Sequence, residues 1–245
     1  MHTPSKRREA GFSLIELMIA LVITLLIMGM ASALLAGAFK TRSREDRKSD
    51  GIADVQRALN SMTREISNSG FRLPSGLTGV SANGLVTGDS DTQSVRIISN
   101  LNGMPDPSNP YVSNTVVTDP DEDVKYLMYV DDALAQRYIV RYDNNAANKT
   151  TVLANRIDSL VIRYFDQKVT YDTIVDAVTG FSDITNVLNA AGETQVEVSP
   201  AVAKYLVIAV GVTLPAVGTF GSEGYQPPSR VQLTSDVVLR NAIVY

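Results

Sequence analysis

Residues 17–39 carry no formal charge, and this 23-residue run stands directly beside a carboxylate, Glu16. As a helix it would be about 34 Å long, enough to cross the hydrocarbon core of a bilayer. A helix satisfies its own backbone polar groups in lipid, so a helix is the form expected of such a run. A charge at membrane depth is expensive, however, and normally has a partner and a function. The chain is thus constrained from one end: an apolar helix, an acid at its start, Gly11 five residues before the acid, and Lys6, Arg7 and Arg8 upstream.

Two ordinary readings each explain part of this. A secretory signal peptide has a shorter apolar region ending at a small-residue cleavage site, whereas here the run is long and the obvious Gly precedes it. A plain single-pass anchor explains the length but gives Glu16 and the boundary at Gly11 no role. The 245 residues allow one ordinary domain plus an extended segment. There is no Cys, which excludes disulfides, thiolate metal sites and a Cys nucleophile, and the single histidine is His2. The net charge of −4 gives no reason to expect a nucleic-acid partner.

Gly11-Phe12-Ser13-Leu14-Ile15-Glu16 resembles the processing motif of type IV prepilins and of the related pseudopilins of type II secretion. The resemblance implies that a prepilin peptidase of the inner membrane cuts between Gly11 and Phe12 on the cytoplasmic side. It also implies that Phe12 becomes the N-methylated terminus and that Glu16 is the assembly carboxylate. Implied partners are the peptidase, other major and minor pilins met through the N-terminal helix, the inner-membrane assembly platform and, before assembly, the bilayer. The protein would wait in the inner membrane as a single span with its N-terminus cytoplasmic, then move into a periplasmic and extracellular filament. Physically, the freed amine of Phe12 is a cation about one helical turn from Glu16. Such a pair at about 4 Å gains on the order of 4 kcal/mol before desolvation. Loss of the leader removes a net +2, leaving 234 residues with net charge −6 and no histidine. The positive-inside rule, counted alone, favours the opposite orientation: Lys6, Arg7 and Arg8 face Lys40, Arg42, Arg44, Arg47 and Lys48. Long domains nevertheless translocate largely regardless of charge.

The helical period continues past Phe39. Ile52, Val55, Leu59, Met62 and Ile66 are spaced 3, 4, 3 and 4, one apolar stripe that predicts an amphipathic helix. Asn68-Ser69-Gly70 is a stop signal, and Pro74 prevents resumption. A rod from Phe12 to Asn68 would be roughly 85 Å long. A coiled coil is the rival for the stripe, but little more than two heptads are present, so the protein's own domain is the expected partner. Within the apolar half Gly29, Ala33 and Gly37 recur every four residues, a spacing that lets membrane helices approach closely.

From about Phe71 the period becomes alternating. Val95 and Ile97 alternate with polar neighbours; 124–130 and 136–143 read as a hairpin joined by "DDALA". Residues 157–166 place Leu160, Ile162 and Tyr164 on one face, 204–214 form a central apolar strand, and Val231, Leu233, Val237 and Leu239 mark a half-exposed antiparallel one. A short helix is expected over 182–190 with Ser182 as its cap, and polar loops over 100–123 and 192–200. The expected class is α+β: a pilin-like long helix, apolar then amphipathic, packed on an antiparallel sheet domain. Its parts would be a leader 1–11, a membrane and assembly half 12–39, an amphipathic half 40–70 and a globular domain 71–245. "REISNSGFR", "LANRIDSLVIRYFD" and "LTSDVVLRN" resemble W-type minor pilins and J-type pseudopilins. That branch implies a low-abundance subunit acting in pilus initiation or at the tip; a secretion pseudopilin, an adhesin or a DNA-uptake subunit are the alternatives.

No catalytic residue and no cofactor are expected. Without histidine in the domain a Ser–His–Asp arrangement is impossible. Asp119, Asp121 and Asp123 alternate as in calcium loops, but an EF-hand needs Gly and Glu where Val124 and Val130 stand, so no metal site is expected beyond a looser one on these three. Asn148-Lys149-Thr150 fits a glycosylation acceptor.

Overall fold

The 3–4 stripe belongs to one helix, α1 (Leu14–Ser67), in a computed structural model that describes residues 13–74, 76–102, 105–106, 109–113, 116–134, 136–155, 157–214, 216, 220–221 and 225–242. Val55, Ala58, Leu59, Met62 and Ile66 are at most 5% exposed, while Ile52 is half-buried at the start of the stripe. The helix stops as its residues dictate. Asn68 and Ser69 donate to the carbonyls of Glu65 and Ile66, and the Asn241 side chain caps the carbonyls of Asn68 and Ser69. Gly70 follows with φ +79°, a left-handed conformation that glycine enters without strain, and its N–H bonds Ile98 at 2.9 Å.

Among the described residues eleven strands follow: β1 (Ser94–Ile98), β2 (Pro105–Asp106), β3 (Asn109–Ser113), β4 (Asp123–Asp131), β5 (Gln136–Asp143), β6 (Thr150–Asn155), β7 (Ser159–Phe165), β8 (Thr170–Val175), β9 (Ser182–Leu188), β10 (Tyr205–Leu214) and β11 (Ser229–Val238). All the pairings are antiparallel. One sheet runs β1-β4-β5-β6, a second runs β11-β10-β7, and β2-β3 and β8-β9 are hairpins. The protein is therefore α+β, a long N-terminal helix with an antiparallel sheet domain. The chain divides into two compact units, 1–46 with 217–226 and 47–216 with 227–245. In the second, the stripe of α1 shares one core with Val95, Val124, Tyr126 and Ile139 of the first sheet and Leu160, Ile162, Leu206 and Ile208 of the second.

The hairpin with "DDALA" forms as expected, the Asp131 carboxylate accepting from the amides of Ala133 and Leu134. β10 is central in its sheet, and β11 and β7 flank it. The helix expected over 182–190 does not form. Those residues make β9, paired with β8, because Ile184, Thr185 and Val187 are β-branched and a matching strand precedes them. Ser182 is buried and caps nothing: its N–H donates to Ser159 Oγ at 3.0 Å. The 100–123 stretch, expected as a loop, contains β2 and β3. Leu160, Ile162 and Tyr164 share one face of β7 as expected, and its other face is covered as well. Phe165 joins Val169, Tyr205 and Val207 in a second cluster packed by Tyr171, Ile184 and Val187 of the β8–β9 hairpin.

Candidate functional site

The N-terminal half of α1 is built for an apolar solvent. The stretch Leu14–Ser43 is long and apolar enough to cross a membrane, and none of it is buried within the protein. Three of its hydroxyls bond back to the helix itself: Thr24 Oγ1 donates to the Ala20 carbonyl at 2.7 Å, Ser32 Oγ to Met28 at 2.8 Å and Thr41 Oγ1 to Gly37 at 3.2 Å. Each hydroxyl thereby needs no outside partner, which is what lipid or a packed helix demands.

Ser13 precedes the helix, and its carbonyl accepts from the amides of Glu16 (3.0 Å) and Leu17 (3.1 Å). Glu16 lies in the first turn, where the unpaired amides and the helix dipole favour a negative charge. Gly11 and Phe12 lie outside the described residues. Gly29, Ala33 and Gly37 fall on one face, and a Cβ placed on Gly29 or Gly37 would meet no atom within 4 Å. Packing within the described chain therefore does not explain these small residues.

The three acidic residues of the calcium-like run are not brought together. Asp123 takes a two-pronged bond from Arg96, Nε to Oδ1 at 2.8 Å and Nη2 to Oδ2 at 2.7 Å. Asp121 pairs with Arg141, and Asp119 accepts from the Asn102 side-chain amide. Among the described residues no group of three His, Cys, Asp or Glu is placed to hold a metal ion.

A clasp between helix and sheet was missed in the sequence. Glu65 Oε2 accepts from the Tyr126 hydroxyl at 2.6 Å and from Arg141 Nε at 3.0 Å. Burial, then the negative charge of Glu65, pushes the Tyr126 hydroxyl well above the usual tyrosine range. The available signals were a carboxylate beside the stripe residue Ile66 and an arginine inside the alternating "QRYIVRYD".

The prokaryotic N-terminal methylation motif matches residues 6–32, the span that holds Gly11, Phe12, Glu16 and the first part of the apolar helix. The match supports the type IV pilin and pseudopilin class, whose members are structural proteins processed and methylated at this motif. No curated protein and no solved structure matches the chain.

Proposed function

We propose that the chain is a structural minor subunit of a type IV pilus, of the W type, and not an enzyme. The peptidase removes residues 1–11 by cutting between Gly11 and Phe12, and Phe12 is N-methylated. The ammonium of Phe12, or that of a neighbouring subunit, meets Glu16 as α1 leaves the bilayer for the filament. Gly29, Ala33 and Gly37 form the face on which neighbouring helices approach. The parts follow: leader 1–11, membrane and assembly half 12–39, amphipathic half 40–70, exported domain 71–245. The observation that carries this reading is the contiguous stretch from Gly11 to Glu16, set between basic residues and a helix able to cross a membrane.

Mass spectrometry of sheared surface filaments is the test, and a peptide beginning at N-methyl-Phe12 is the expected result. Recovery of the chain only with residues 1–11 attached would sink the proposal. Glu16→Ala is expected to leave membrane insertion intact and to deplete the subunit from filaments at least several-fold, the size of effect that a lost pair of on the order of 4 kcal/mol before desolvation permits. Deletion should abolish or reduce pili; loss of protein secretion with pili intact would instead assign a secretion pseudopilin.

A further inference from the structure

The outer face of the β4-β5-β6 sheet is apolar and open, although no function described above uses it. Residues alternate across the sheet: Tyr126 and Ile139 face the core, while Leu127, Tyr129, Tyr138 and Tyr142 face outward with Thr150 and Val152 of β6. Together they line a groove of about 320 Å³. Tyr129 and Val152 are each 51% exposed. The rings of Tyr129 and Tyr138 have centroids 6.4 Å apart and planes tilted by 35°, which makes a shallow aromatic floor. Its rim is polar: the Tyr138 hydroxyl donates to Gln136 Oε1 at 2.8 Å, and Asp131 and Thr150 border the groove.

Thr150, the last residue of the glycosylation triplet Asn148-Lys149-Thr150, borders this groove. All three residues are exposed, Thr150 is the cross-strand partner of Tyr142, and Lys149 Nζ lies 6.0 Å from the Tyr142 ring centroid. The turn that presents it is held in place. The Asp143 amide bonds the Lys149 carbonyl at 2.7 Å, and Asp143 Oδ1 accepts from the amides of Asn145 and Ala146.

We propose that Asn148 carries an N-linked glycan whose first sugars lie on the tyrosine floor. A pyranose has an apolar C–H face and a hydroxyl edge, which matches an apolar floor with a hydroxyl, amide and carboxylate rim; tyrosine itself combines an apolar body with a polar tip. Attachment at Asn148, two residues before the groove-lining Thr150, fixes the occupant and supplies it at high effective concentration, so a shallow site suffices. In the reaction the Asn148 side-chain nitrogen attacks the anomeric carbon of an oligosaccharide carried on a polyprenyl diphosphate. The C–N bond forms, the anomeric C–O bond breaks, the amide gives up one proton, and polyprenyl diphosphate leaves. Thr150 supplies the hydroxyl that defines the acceptor triplet. The inference goes beyond filament assembly and rests on that reading only in needing the domain to be exported.

The test is peptide mapping by mass spectrometry of the full-length protein from its own cells. The peptide containing Asn148 is expected to carry a saccharide mass increment, lost in Thr150→Ala and kept in Thr150→Ser, both at an exposed position. A wild-type peptide with Asn148 bare throughout, or an increment that survives Thr150→Ala, would overturn the attachment. Replacing Tyr138 and Tyr142 by Ala should keep the increment and speed glycosidase release from the folded protein; an unchanged release rate would overturn the packing on the floor. The same spectra read residue 12, so N-methyl-Phe12 with a bare Asn148 rejects the glycan alone, and a glycan without processing rejects the pilus reading alone.

Discussion

Glu65 joins two elements through one carboxylate oxygen, and the arrangement sets the cost of losing it. Tyr126 is fully buried and Arg141 half-buried, so removing their shared acceptor takes a carboxylate from a buried hydroxyl and leaves the guanidinium with Asp121 and Asp143. Glu65→Ala should lower unfolding stability by about 2 kcal/mol, the scale of a charge-assisted hydrogen bond, read as a reduced urea midpoint. Glu65→Gln, which keeps an acceptor oxygen, should lose less. Gly211 is a second such position, for reasons of space. A Cβ there would lie 2.4 Å from Ser182 Oγ and 2.6 Å from Ser159 Oγ, both in fully buried serines that hold β9 against β7 and β10. Gly211→Ala is expected to cost about 1–3 kcal/mol by overpacking, measured in the same titration.

At the scale of elements, the second half of α1 belongs to the sheet domain. Burying its four large core side chains, Val55, Leu59, Met62 and Ile66, is worth roughly 6–12 kcal/mol at about 1.5–3 kcal/mol each, which is comparable with the whole stability of an ordinary domain. A fragment beginning at Phe71 should therefore fail to fold, and one beginning at Arg47 should give a cooperative transition by circular dichroism. A folded Phe71 fragment would show that the helix merely rests on the domain. This dependence was legible in the stripe from Ile52 to Ile66, since period 3.6 leaves little ambiguity over four turns. The central strand β10 and the β4–β5 hairpin were legible for the same reason: long alternating or apolar runs bounded by turn residues. The β8–β9 hairpin was not. "TYDTIV" and "SDITNVL" are short and partly polar, so their pairing with each other and their cover over Phe165 and Tyr205 decide their form, and neither is visible locally. The clasp escaped for a related reason: Glu65 and Arg141 are 76 positions apart and meet only once the sheet lies on the helix. In the candidate site, Glu16 was legible because an acid beside an apolar run stands out, and the self-bonded hydroxyls of Thr24, Ser32 and Thr41 follow from helix geometry alone.

For the whole molecule, buried tyrosines make the folded state sensitive to alkali. Burial, then a hydrogen bond to Asp236 at 2.6 Å, pushes Tyr171 from the usual 10.0 up to about 12. Burial pushes Tyr126, Tyr164 and Tyr205 higher still. Each folded-state value lies above the unfolded one, so the protonated hydroxyl is favoured by folding. The contribution of Tyr171 is complete below pH 10, declines as pH rises toward 12 and is lost above it, while those of Tyr126, Tyr164 and Tyr205 begin to decline in the same range and are lost only at still higher pH. Tyrosinate absorbance followed with circular dichroism should show these tyrosines ionising together with loss of structure; ionisation in a fully folded protein would contradict the burial.

α1 is one helix from Leu14 to Ser67, and its C-terminal part fills the domain's interior. A pull along this C-terminal part would therefore load the seating of Val55, Leu59, Met62 and Ile66 directly. Displacing this part of the helix and breaching the interior are then one event, because the same four side chains serve both.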